Sequence, residues 1–280
     1  MDDPPRERSL TGPPPLIPDG LDATLVLVRH GESTFIAEER FQGQAETPLS
    51  PIGRRQAGLV ARRLAHAHDA PALPVPARPP TELVHSPLQR TTETATAIEA
   101  EFRAVGIVVE RRVDGGFLEI GQGEWERLLR TEVAARYAER LATWRRRPLE
   151  AWAPGGESLP EVQARVRPSL AAVLRRLAER GPAGSLDRPQ VAGYRDAPVD
   201  HPWSVVVGHD GVFKISLLTL FDLPLDRFWM WSMDLCGLSV VEFHGGRPVL
   251  RAHNLTAHLA ELLDDETQAE LEERSRSGAL

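Results

Sequence analysis

The 280-residue chain has one cysteine, Cys236, and one lysine, Lys214, although Lys and Arg together number 33. A lone cysteine excludes an intramolecular disulfide framework and cysteine-rich zinc modules, and it fits a reducing compartment. Cys236 itself reads as a small buried hydrophobe. The scarcity of lysine is read as genome composition and carries no functional weight. Nowhere do about 18 apolar residues run uninterrupted, so no membrane-spanning helix is expected. The opening MDDPPRERSL sets acid and proline where a secretory signal has basic residues and then an apolar run. A cytoplasmic location is the expectation. Charge of one sign is also lacking: 33 basic residues against 40 acidic give a net −7, so no global basic field exists to hold nucleic acid or an anionic membrane. Any anion site must be local. No HExxH-like pairing suggests a metal, and no cofactor is implied.

The remainder is that of a soluble globular protein, with 41% hydrophobic and 26% charged residues. A chain of this length buries roughly three quarters of its extended surface without staples. Residues 1–20 hold six prolines and little that could enter a core, so they read as a disordered leader. The domain is expected over 21–263, with cap elements around 115–158, and a charged tail over 264–280. Short β-branched runs predict strands at 24–29, 81–85, 107–110 and 203–207, the pattern of strands buried on both faces. Helical spacing follows over about 51–67, from a helix opened by Ser86-Pro87 to Phe102, and over about 127–144, 159–180 and 212–220. Two further runs, about 238–243 and 248–252, flank Gly245-Gly246 and predict a hairpin. The aperiodic 181–203 stretch reads as a loop on the face opposite the pocket. Strands alternating with helices predict an α/β three-layer sandwich with a mostly parallel central sheet.

In such a sheet ligands bind outside the carboxyl ends of the strands. The first strand ends in Arg29-His30, the second in Ser86 with Arg90 one turn on, and the fourth in His209. Two histidines and two arginines therefore converge on one edge.

These residues lie in an ordered series of motifs that resembles the histidine phosphatase superfamily, the phosphoglycerate-mutase-like enzymes, over roughly residues 22–260. Val28-Arg-His-Gly-Glu-Ser33 is similar to the nucleophile motif, and Phe41-Gln-Gly-Gln44 with Leu49-Ser50 and Gly53 to the segment after it. Ser86-Pro-Leu-Gln-Arg90-Thr91 resembles the second-arginine motif, Leu118-Glu119 with Gly123-Glu-Trp-Glu126 the acid motif, and Val207-Gly-His209 the second-histidine motif. The resemblance implies that His30 attacks phosphorus and carries the phosphoryl group. It implies that Arg29, Arg90, Gln42 and Gly43 bind the substrate, that His209 adds a donor, and that Glu119 serves as general acid and then base. The physics agrees. A neutral imidazole is needed for attack, flanking cations disfavour its protonated form, and planar guanidinium forks match phosphoryl oxygens. Glu32 is expected to brace the loop, Trp125 to pack, and His253 and His258 to be structural or exposed.

Three positions depart from the family pattern. Ile36 stands where an asparagine often reaches the phosphoryl group, Arg127 where glycine usually follows Trp-Glu, and Asp210 where glycine commonly follows the second histidine. Glu119 is followed by Ile-Gly-Gln-Gly and not by the Arg and Tyr of the mutase branch. The expected activity is therefore a metal-independent phosphatase acting on a small phosphorylated metabolite. The alternatives are a phosphoglycerate-type mutase and a catalytically weak binder of phosphorylated ligands. Arg145, Arg146 and Arg147 near the cap either face a second anionic group or form a solvated helix end. Oligomeric state is not legible.

Overall fold

In the first strand, β1 (Ala23–Arg29), every residue is buried, and successive side chains serve opposite faces of the sheet. Leu25 and Leu27 enter one apolar core, and Val26 and Val28 the other. The structure is a computed structural model that describes residues 15–181 and 200–262. Its sheet has six strands in the order β3-β2-β4-β1-β5-β6. The others are β2 (Glu82–His85), β3 (Glu110–Val113), β4 (Trp203–Gly208), β5 (Leu238–His244) and β6 (Arg247–Leu255). The first four run parallel, and β5 and β6 form an antiparallel hairpin on the flank of β1. Gly245 and Gly246 turn that hairpin at φ +55° and +81°, in the left-handed region open to glycine.

Seven α-helices complete the described fold: α1 (Thr34–Ala37), α2 (Pro51–Ala65), α3 (Gln89–Ala104), α4 (Arg130–Arg136), α5 (Ala138–Arg146), α6 (Leu159–Arg180) and α7 (Asp210–Leu220). Helices α2 and α3 pack on the Val26 and Val28 face, while α6 and α7 pack on the Leu25 and Leu27 face, which makes three layers. Helix α7 is buried all round, so it is locked between the sheet and its neighbours. At α2, Ser50 accepts the Gly53 amide and Pro51 supplies the first turn, satisfying a helix start in the way the sequence predicts.

Several local expectations need correction. Strand β3 begins at Glu110, not Ile107: Ile107 and Val109 pack against the apolar core, while the ladder with β2 starts where Glu110 faces Glu82, whose carboxylate pairs with Arg112 at 3.2 Å. Helix α3 begins at Gln89, and Ser86 does not cap it. The Ser86 hydroxyl contacts His209, and the Gln89 amide is taken by the Glu46 carboxylate at 2.8 Å. The helical run over 127–144 is two helices that meet at Tyr137. Leu16 is buried in the main core, so ordered packing starts before Leu21. The greater part of the 1–20 leader, most of the 181–203 loop and the 264–280 tail lie outside the described residues.

Candidate active site

Strand register creates the site. Arg29 pairs with Gly208 and His85 with Val207, so the next residues along each strand, His30, His209 and Ser86, emerge side by side at the carboxyl edge. The His30 and His209 rings lie 5.0 Å apart at 63°, and both are almost wholly buried. His30 Nδ1 lies 2.6 Å from the Gly31 carbonyl, which can only accept. The proton is therefore on Nδ1, and Nε2 keeps its lone pair. Burial, then the charges of Arg90 and Arg29, hold the His30 imidazole well below its usual range. It is a neutral base with one free nitrogen.

His209 adopts the other tautomer. Arg90 Nε donates to its Nδ1 at 3.3 Å, so the ring proton is on Nε2, 2.9 Å from Ser86 Oγ. Burial, followed by the Arg90 charge, also lowers its proton affinity. In this arrangement the single N–H of His209 is spent on Ser86.

The arginines are fixed from behind. Arg90 is fully buried and donates to the carbonyls of Ala45 at 3.0 Å and Gly43 at 2.8 Å. Burial lowers it to about 10, which still leaves a cation at neutral pH. Arg29 donates to the Met233 carbonyl at 2.6 Å, while its buried Nε has no hydrogen-bond partner among the described residues. Gly43 has φ +50°, and a Cβ there would lie 2.3 Å from the Glu126 carboxylate, so only glycine lets its carbonyl reach Arg90. Gln42 is buried, and its Oε1 accepts the Ser33 hydroxyl at 2.5 Å. The structure thus ties Gln42 and Gly43 to the walls that hold α1 and Arg90.

Glu119 stands apart from the neighbouring acids. Glu124 accepts from the Tyr137 hydroxyl, and Glu126 from the amides of Gln44 and Gln122. Glu119 is buried at the start of α7, where it accepts the amides of Ile120 (2.9 Å), Val212 (3.1 Å) and Gly211 (3.2 Å). Its proton affinity is nevertheless raised, first by burial and next by the charge of Asp210.

Other residues take supporting places. Glu32 accepts the Ser50 hydroxyl at 2.6 Å and so braces the loop after β1. Trp125 packs edge-on to Phe41 at 5.6 Å. Arg127 has φ +70°, which explains why glycine is the easier residue there. Ile36 is buried on α1 but belongs to neither main apolar core. His258 is held by the Cys236 carbonyl, and His253 lies against Trp231. Arg145, Arg146 and Arg147 are exposed, and Arg147 pairs with Glu150 at 2.8 Å, the arrangement of a solvated helix end. Sequence reasoning missed the roles of Ser86 and Asp210 around this centre. Only the Asp210, Lys214 spacing of four along a helix signalled the second.

Comparison with known proteins gives a consistent set. The family model described as "Histidine phosphatase superfamily (branch 1)" matches residues 25–183 and 190–256. A phosphoserine phosphatase 1 from Hydrogenobacter thermophilus is 31% identical over 240 residues, covering 85% of this chain and 94% of the relative. A glucosyl-3-phosphoglycerate phosphatase from Mycobacterium tuberculosis is 32% identical over 202 residues, covering 72% and 76%. The solved structure of mycobacterial glucosyl-3-phosphoglycerate phosphatase with VO3 superposes with a TM-score of 0.62 at 30% identity, covering 83% of this chain and 99% of that one.

Proposed function

The chain belongs to the histidine phosphatase superfamily, and from that premise we propose that it hydrolyses a small phosphorylated metabolite through a phosphohistidine formed on His30. It is a phosphomonoesterase. The observation that carries the residue assignment is the neutral, buried His30, with Nδ1 anchored on Gly31 and Nε2 free, set between Arg29 and Arg90.

In the first step the Nε2 lone pair attacks phosphorus, and the bond to the leaving oxygen breaks as that oxygen takes the proton of Glu119. In the second, water attacks the phosphoramidate, Glu119 takes back a proton, and the P–N bond returns its electrons to His30. Arg29 and Arg90 meet the phosphoryl oxygens with fixed donors, so stabilisation requires little reorganisation. Gln42 and Gly43 complete the wall of this pocket. His209 Nδ1 stays the acceptor of Arg90, so the N–H it can offer a phosphoryl oxygen is the Nε2–H that reaches Ser86 in this structure. Its donor role is thus assigned to the bound state. The segment over about 115–158 forms the rim that selects the leaving group, within a domain over 21–263.

Among the described residues no helix is long and apolar enough to cross a membrane. A cytoplasmic location, and a partnership with small phosphorylated substrates without nucleic acid, complete the reading. The test is phosphate release from a panel that includes phosphoserine and glucosyl-3-phosphoglycerate, run beside a phosphoglycerate mutase assay primed with bisphosphoglycerate. Phosphate release from at least one small metabolite is expected. Isomerisation without release would assign the mutase chemistry, and binding without either would assign a silent relative.

A further inference from the structure

The environment of Glu119 contains a conflict. The amides of Gly211 and Val212, at the start of a helix whose dipole favours negative charge, and the amide of Ile120 all stabilise the carboxylate. The Arg90 guanidinium acts in the same direction. A general acid placed there would lose its proton too early. Burial opposes these effects, and a second group opposes them too.

That group is Asp210, the first residue of α7, next in the chain to His209. It is almost wholly buried, and its Oδ2 accepts from Lys214 Nζ at 2.6 Å. Lys214 is the only lysine of the chain, is itself buried, and lies 5.3 Å from the Phe228 ring and 5.0 Å from the Trp229 ring. These rings favour a cation over their faces. Asp210 Oδ1 is buried with no hydrogen-bond partner among the described residues. Two carboxyl groups therefore share one helix start, and only one of them has an ammonium partner.

We propose that Asp210 and Glu119 form an unequal carboxyl pair, in which Asp210, ion-paired to Lys214, carries the negative charge and keeps the catalytic proton on Glu119. Asp210 is on this view a positioning residue for the proton. The inference rests on the reading of Glu119 as the acid. Like charges close together in a low-dielectric site resist joint ionisation, so a fixed charge on one raises the proton affinity of the other. The shift found for Glu119 has this direction, with burial the first cause and Asp210 the second. The charged groups around the pair are Arg90 from α3 on the Glu119 side and Lys214 from α7 on the Asp210 side; the titratable His253 from β6 also feels Asp210, but burial lowers its proton affinity. The unpartnered Asp210 Oδ1 is the cost of this arrangement, and nothing else in the described structure uses it.

The experiment is the pH profile of kcat/KM for an alkyl phosphate in the full-length enzyme and in Glu119→Gln, Asp210→Asn and Asp210→Glu. Loss of the alkaline limb in Glu119→Gln assigns that limb to Glu119. Asp210→Asn is expected to move the limb down by about one pH unit, the scale of a single nearby charge. At the wild-type optimum, activity on an activated aryl phosphate should change less than about threefold, since a good leaving group departs without a proton. Asp210→Glu should restore the limb. If Asp210→Asn fails to fold, Asp210→Asn with Lys214→Met should move the limb in the same direction but by less, because the opposing lysine charge at 2.6 Å goes with the carboxylate. An unmoved limb in either folded variant, with activity lowered equally at every pH, would overturn the proposal and leave the Glu119 assignment standing. An alkaline limb that persists in Glu119→Gln would instead remove the Glu119 assignment and the proposal with it.

Discussion

A single methyl group at Gly211 should disable proton donation while sparing the fold. Gly211 occupies the first turn of α7, and its amide donates to Glu119 Oε2 at 3.2 Å. A Cβ there would lie 2.6 Å from Glu119 Oε1 and 2.7 Å from Ile120 Cδ1. Comfortable carbon contacts begin at about 3.5 Å, so the carboxyl has to withdraw by roughly 1 Å. A misplacement of that size at a reacting group costs about a hundredfold in rate. Alanine is better than glycine in a helix by about 1 kcal/mol, which offsets part of the steric strain. For Gly211→Ala, kcat/KM toward an alkyl phosphate is therefore expected to fall about 10- to 100-fold, or about 1.4–2.8 kcal/mol in the barrier. Toward an activated aryl phosphate it should change less than about threefold, because that leaving group needs no proton. Both rates are read in steady state, beside a thermal unfolding curve that confirms the fold. Equal losses on the two substrates, or no loss on the alkyl phosphate, would refute the placement of Glu119 as the acid at this helix start.

Ile36→Asn should raise kcat/KM by up to about tenfold, because Ile36 is buried outside both main cores and an amide there supplies a hydrogen bond worth about 1.5 kcal/mol to a charged oxygen. An unchanged rate with a stability loss above about 2 kcal/mol would show that Ile36 serves packing. His258, lowered by burial to about 4, makes the fold acid-sensitive. The unfolded chain takes up this proton first as pH falls below about 6.5, so stability drops from there and the loss ends near the folded value, amounting to about 3 kcal/mol at most. His258→Gln, which keeps an N–H toward the Cys236 carbonyl, should flatten the dependence of urea stability on pH between those limits. An unchanged acid slope would contradict this assignment.

The parallel core and the convergence of His30 and His209 at its edge were legible because both rest on short-range signals. The apolar runs at 24–29 and 203–207 can be satisfied only as buried strands, and each ends directly in a reactive residue. Their register then sets His30 beside His209, since Arg29 faces Gly208. What sequence reading misplaced depended on partners distant in the chain. Ser86 and Pro87 look like a helix start, but the Ser86 hydroxyl is claimed by His209, 123 residues away. Strand β3 is charged where it pairs, because Arg112 and Arg176 converge on Glu82, so the apolar residues before it gave the stronger strand signal. In the site, the free nitrogen of His30 follows from a contact with the very next residue. The tautomer of His209 and the tuning of Glu119 depend on Arg90 and Asp210, whose approach only the folded chain defines.

The central claim is tested most directly by trapping the covalent intermediate. Enzyme mixed with a radiolabelled phosphomonoester and quenched within one turnover should carry label on His30, stable to alkali and labile to acid, because a protonated phosphoramidate nitrogen leaves readily. His30→Ala should carry no label and show no turnover while keeping a wild-type unfolding curve. Label mapped to a serine, to an aspartate or to His209, or substantial activity in folded His30→Ala, would contradict the account.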